Sequence, residues 1–209
     1  MKTDFLIEKL SQANRPIDQL SPPFVRFARW LIVAFLCVGV GVSLFGVRTD
    51  IEEVVLQFGF TFQVFCSLGL ALLSALSAFI LSVPDREKNW VSILPLATLV
   101  LWLLSISQSF YVVEFVKGGI GLSCVRDIFV LSLVPAVFLF MMLRRAAPLQ
   151  KDRVGIFAGL SVAALGAVGT QFICHNDDPL HVIMWHYFPV VAIGFLGFWL
   201  GKILLNWEK

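Results

Sequence analysis

The residues able to do chemistry gather in two short stretches of the chain. Cys174 opens the segment CHNDDPLHVIMWH, which holds all three histidines (His175, His181 and His186) with Asp177 and Asp178 between them. Fifty residues earlier, Cys124 stands next to Arg126 and Asp127. A thiolate, imidazoles and carboxylates brought onto one face make a transition-metal site. The spacing matches no standard ligand pattern, since no two histidines stand four apart and His181 and His186 are separated by five. Two other readings stay open: a pH-sensitive cluster, because histidine titrates near neutrality, and a turn at Asp177-Asp178-Pro179 in which Asp178 caps the following helix. The thiols also leave alternatives. Cys124 and Cys174 are a structural disulfide, a redox or thiophilic-metal sensor, or two unpaired thiols, and pairing needs their Cα atoms within roughly 7 Å. No CxxC occurs, so a thioredoxin-like exchange motif is absent. Cys37 and Cys66 sit in the middle of apolar runs and read as small hydrophobes.

Elements built for a bilayer must position these residues. Of 209 residues, 58% are apolar and 14% charged, with a mean hydropathy of +0.87. That composition excludes a disordered chain, a small disulfide scaffold and an ordinary soluble enzyme. Six apolar runs follow one another: 30–47, 54–83, 90–113, 128–143, 154–173 and 182–205. About 20 residues cross a bilayer, so the expectation is an all-α bundle of six transmembrane helices, the fourth reaching spanning length only if it starts near Leu122. Residues 1–29 form a tail and 30–207 the membrane domain. Thirteen of the sixteen Lys and Arg fall in the tail, the loops around 86 and 148, and the C-terminus, leaving Arg48, Lys117 and Arg126 for the other side. By the positive-inside rule both termini are cytoplasmic, and segments 48–53, 114–127 and 174–181 face outward. Arg126 has Asp127 beside it and Glu114 as a second candidate partner. Small residues recur every four positions, at Ser67, Ala71 and Ala75, at Gly155, Gly159, Ala163 and Ala167, and at Gly197 and Gly201. Such stripes mark close helix contacts in lipid.

Thr3 is placed to cap a short helix from Asp4 to about Ala13, with Leu6, Ile7, Leu10 and Ala13 on one apolar face. A helix this short needs a docking surface to be stable in water, either a partner's groove or the membrane; a disordered tail is the third reading. Arg15-Pro16 ends it, and Leu20-Ser21-Pro22-Pro23 makes a stiff spacer. Phe5, Leu6, Ile7, Leu10, Pro16 and Leu20 are the residues expected to meet a partner.

The middle of the apolar runs carries no ionisable side chain, which disfavours an ion-coupled transporter. There is no Walker loop, HExxH, GxSxG or kinase signature, so neither an enzyme nor a cofactor is expected. Two further classes remain as alternatives, a membrane thiol oxidoreductase passing electrons to a quinone and a small permease.

Several features together resemble the NrsF family, "negative regulator of sigma F". They are MKTDFLIEKL, Arg15-Pro16, Leu20 to Pro23, Arg26, Trp30, Cys124, Leu133 to Pro135, Leu143 to Pro148, Gly155, Gly159, Cys174, Asp178-Pro179, Trp185, Gly197, Gly201 and Trp207. The resemblance implies a six-span anti-sigma factor of the bacterial inner membrane. It implies that the cytoplasmic tail sequesters an extracytoplasmic-function sigma factor without contacting nucleic acid, and that Cys124 and Cys174 sense stress such as oxidants or heavy metals.

Overall fold

The computed structural model describes residues 3–12, 19–83, 89–105 and 120–206. All regular structure among them is helical. In chain order the elements are α1 (Thr3–Gln12), α2 (Pro23–Phe45), α3 (Ile51–Val54), α4 (Phe58–Leu81), α5 (Asn89–Ser105), α6 (Leu122–Arg144), α7 (Lys151–Gln171), α8 (Pro179–Val182), a π-helical turn (Ile183–Tyr187) and α9 (Phe188–Leu204). Five stretches are long and apolar enough to cross a membrane: α2, α4, α6, α7, and α8 through α9 taken together. The third apolar run is represented by α5, whose apolar part, Trp90–Ser105, is shorter; residues 106–113 lie outside the described residues, as do Glu114, Lys117, Ala13, Arg15 and Pro16.

Two boundaries differ from the hydropathy pattern. The first long helix starts at Pro23, seven residues before the apolar run, because proline at the first helical position costs no hydrogen bond and presets φ. The helix of the fourth apolar run starts at Leu122, the start its length requires.

The bundle is built around α7, which is buried along nearly its whole length from Val154 to Gln171. Small side chains make this feasible. Cβ atoms at Gly155 would strike the Gly197 carbonyl oxygen and sit 2.7 Å from the Gly201 Cα; one at Gly159 would lie 2.7 Å from the Ile193 carbonyl oxygen. The α7 and α9 backbones therefore touch through their small-residue stripes. On the other side of α7, Ser161 Oγ donates to the Ala71 carbonyl at 2.8 Å and Ser67 Oγ to that of Ala164 at 3.3 Å, which uses the α4 stripe in the same way. Ser132 of α6 donates to the Val162 carbonyl at 2.8 Å. In a medium that gives helices no hydrophobic reason to associate, contact of this closeness and these hydrogen bonds hold the bundle.

Helix α2 is more peripheral and is pinned at both ends. Near its start, buried Arg26 donates through Nη2 to Ser82 Oγ at 3.0 Å and to the Phe79 carbonyl at 3.4 Å. Trp30, 1% exposed, donates its indole N–H to the Pro135 carbonyl at 3.0 Å.

Candidate functional site

Two of the four cysteines lie at one end of the bundle, where three elements converge. Cys124 is in the first turn of α6, and Cys174 follows the end of α7, its backbone N–H still bonded to the Thr170 carbonyl at 2.8 Å. His181 and His186 come from the segment leading into α9. Cys124 Sγ and Cys174 Sγ stand 3.4 Å apart, and His181 Nε2 is 3.5 Å from each sulfur. Candidate ligand atoms of Cys124, Cys174, His181 and His186 all lie within 4.8 Å of one another. The two histidine rings meet edge-on with centroids 5.6 Å apart.

A local break in the α-helix produces this pairing. Residues Ile183–Tyr187 form a π turn, and the Phe188 N–H bonds to the carbonyl five residues back, at Ile183. Pro189 explains the break: it has no N–H for the Trp185 carbonyl and its ring would clash there in a tight α-turn. A π turn accommodates one residue more than an α-turn, so positions five apart share a face. Histidines at 181 and 186 thereby come together, and such bulges concentrate at functional sites. Gly121 completes the approach of α6. A Cβ there would fall 2.5 Å from both His181 Cε1 and Trp185 Cγ, so only glycine lets the chain entering α6 lie on the π turn and bring Cys124 to the histidines. Asp178 caps the segment by accepting the Leu180 N–H at 2.8 Å.

The two sulfurs are not equivalent. Cys174 Sγ accepts from the Cys124 thiol, which holds it well below the ordinary thiol range; burial opposes this, while the His186 imidazole and the Asn176 N–H, 3.5 Å away, act in the same direction as Cys124. Cys174 is therefore the more acidic thiol of the pair and Cys124 its donor. Thiolate character is what makes a cysteine both nucleophile and metal ligand.

His175 does not join the cluster. Its Nε2 accepts the Thr49 N–H at 3.2 Å, one of several bonds tying the segment after α2 to the segment after α7. The Arg48 N–H donates to the Phe172 carbonyl at 2.9 Å. The Arg48 side chain is 1% exposed and forks between two carboxylates: Nε and Nη2 to Asp50 at 2.7 and 2.8 Å, Nη1 and Nη2 to Asp177 at 2.9 and 2.7 Å. Arg48 holds the Asp50 carboxyl down at about 2, and both carboxylates reinforce the guanidinium charge. Its planar fork also lies 5.7 Å from the Phe60 ring centroid, the geometry that suits arginine rather than lysine to such a clamp. In the sequence Arg48 stands only as one of three outward cations, with Lys117 and Arg126. Its signal was the nearby Asp50, but the clamp needs Asp177, 129 residues away.

The other expected residues fall elsewhere. Arg126 pairs with its neighbour Asp127 at 2.8 Å. Phe5 and Ile7 on α1 and Leu20 are exposed, whereas the side chains of Leu6 and Leu10, like the whole of Pro16, are outside the described residues. Cys37 and Cys66 are half-buried on α2 and α4, neither of them in the thiol–histidine cluster.

Comparison with known families decides what carries this site. A family model described as "Negative regulator of sigma F" (NrsF) matches residues 10–207. The chain belongs to the NrsF family. No curated protein and no solved structure matches it. The NrsF match runs through the thiol pair, the arginine clamp and the small-residue stripes alike, so the site and the bundle are parts of one family domain. Members of the family are regulators rather than enzymes, and negative regulation of a sigma factor implies a sigma-factor partner.

Proposed function

We propose that this NrsF protein is a six-span anti-sigma factor of the bacterial inner membrane with both termini in the cytoplasm. Its tail, through Phe5, Leu6, Ile7, Leu10, Pro16 and Leu20, holds an extracytoplasmic-function sigma factor. Release is governed by the Cys124–Cys174 pair at the outward end. The observation that carries this reading is the 3.4 Å contact between the two sulfurs, within reach of direct reaction. A hydroperoxide attacked by the Cys174 thiolate loses its O–O bond and leaves a sulfenic acid; Cys124 sulfur then displaces water as the S–S bond forms. The two thiols lose two electrons and two protons, and the peroxide yields water and an alcohol.

A route for the signal exists in named contacts. Cys174 lies on the segment that carries Asp177 and His175, and these grip Arg48 and Thr49 just past the end of α2. The opposite end of α2 leads directly to the tail. Closing the two sulfurs favours whichever packing of the Cys174 segment accommodates the bond, and Arg48 passes that bias to α2. Only a difference in free energy between holding and releasing states makes oxidation release the partner.

The test is co-purification from the native host after gentle solubilisation, comparing the full chain with a form lacking residues 2–22. The full chain retains a sigma factor and the truncated form does not. Cys124→Ser and Cys174→Ser each keep the sigma factor bound after peroxide treatment. Equal recovery from both forms, or a co-purifying quinone in place of a sigma factor, overturns the reading in favour of a membrane thiol oxidoreductase.

A further inference from the structure

The four-residue cluster has a geometry that disulfide chemistry does not call for. We infer that Cys124, Cys174, His181 and His186 form a closed four-ligand site for a zinc-class d10 cation, resident in the reduced protein. The inference rests on the reading of Cys124 and Cys174 as the responsive pair and adds two ligands to it.

The distances carry the argument. A tetrahedral zinc with Zn–S of about 2.3 Å and Zn–N of about 2.0–2.1 Å has an S···S edge of about 3.8 Å and an S···N edge of about 3.6 Å. The structure has 3.4 Å between the sulfurs and 3.5 Å from His181 Nε2 to each. Three corners of the tetrahedron are thus in place to within a few tenths of an ångström, and the fourth ligand atom, on His186, lies within 4.8 Å of the rest. His186 supplies the second, independent observation. It is 2% exposed, and apart from the Cys174 sulfur, toward which its imidazole acts, neither of its ring nitrogens has a hydrogen-bond partner. A buried imidazole nitrogen left without a good partner is costly, and coordination of a cation by that nitrogen removes the cost. The π turn holds His186 in this position next to His181, and Gly121 keeps the space for it.

Ligand chemistry selects the ion. Two thiolates and two imidazoles suit zinc or copper(I) rather than magnesium or calcium, and four protein ligands leave no open position for catalysis. Binding one divalent ion displaces one proton from each thiol that is protonated, and the imidazoles coordinate as neutral bases. The ion would join the start of α6, the segment after α7 and the π turn before α9, stapling the end of the bundle through which the thiol signal passes.

The experiment uses cobalt(II) as a spectroscopic probe on the full-length reduced protein in detergent, without oxygen. Expected are one cobalt per chain, ligand-field absorption of a tetrahedral ion, a thiolate-to-cobalt charge-transfer band, and displacement by one equivalent of zinc. His186→Ala lowers cobalt affinity at least about tenfold, the lower end of what even outer-shell changes cost, while His186→Cys keeps a tetrahedral spectrum with stronger charge transfer. His175→Ala leaves the spectrum unchanged. Each variant is checked for native helicity by circular dichroism, and the cysteine rescue separates lost ligation from lost folding. An octahedral spectrum, or one unaffected by His186→Ala, overturns the four-ligand site. Retention of the sigma factor is scored on the same samples: loss of the cobalt spectrum with oxidant-driven release intact refutes the metal site alone, whereas a cobalt site with no retained sigma factor refutes the regulatory reading.

Discussion

Removing one carboxylate from the arginine clamp tests whether the thiol segment is anchored to α2. In Asp177→Ala, Arg48 loses its bonds from Nη1 at 2.9 Å and Nη2 at 2.7 Å and keeps those to Asp50. Hydrogen bonds to charged groups contribute about 1.5–3 kcal/mol each when sheltered, whereas exposed ion pairs contribute about 0–1 kcal/mol. This pair lies between, with the Arg48 side chain 1% exposed and that of Asp177 52%. The expected cost is about 1–2 kcal/mol, felt as local opening rather than global unfolding. At about 1.4 kcal/mol per factor of ten, amide exchange at Arg48, Thr49 and Cys174 speeds by about 5- to 30-fold. Protection of α7 is unchanged. Hydrogen exchange read by mass spectrometry on the protein in lipid nanodiscs makes the measurement. The same substitution placed on Arg48→Met has almost no additional effect, since the cycle isolates the pair. Unchanged exchange around Cys174, or faster exchange throughout α7, refutes the idea that Arg48 anchors this segment.

Other outcomes follow from the same contacts. Gly155→Ala places a methyl group against the Gly197 carbonyl and the Gly201 backbone; overpacking of this kind costs about 1–3 kcal/mol, read as a lower thermal midpoint in detergent, with no loss expected for Gly59→Ala, where nothing lies nearby. Trp30→Phe removes the indole N–H donated to the Pro135 carbonyl and lowers stability by about 1 kcal/mol, measurable by chemical denaturation in mixed micelles. Asp50, held at about 2 against an ordinary 3.8, contributes its share of the clamp fully above pH 4 and loses it as pH falls through about 2. Exchange at residues 48–50, normalised to intrinsic rates, is therefore flat from pH 6 to 4 and rises below that. Because Cys174 is the more acidic thiol, a small electrophile labels it before Cys124, and Asn176→Pro, which deletes the N–H near its sulfur, slows that labelling.

Much of the molecule is written locally in the chain. Apolar runs of spanning length survive as helices because lipid offers backbone polar groups no partner except within the helix. The small-residue stripes at Gly155, Gly197 and Ala71 pack as expected because their spacing of four puts them on one helix face, whatever lies opposite. Asp178 as a cap and Leu122 as the start of α6 follow from side-chain chemistry and length. The two cysteines, set after α7 and at the start of α6, could be judged able to meet because a short loop makes those helices antiparallel neighbours.

Tertiary structure decided the rest. Five-residue spacing between His181 and His186 argues against shared ligation in a regular α-helix, and only the π turn forced near Pro189 puts the two rings together. His175, adjacent to Cys174 in sequence, turns away to Thr49 because the chain reverses between α7 and α8. Arg48 becomes a clamp only when folding brings Asp177 beside Asp50. Sequence periodicity reports which face a side chain occupies within one element; which distant groups then share a desolvated corner depends on how helices meet, and that is set by the packing of the whole bundle.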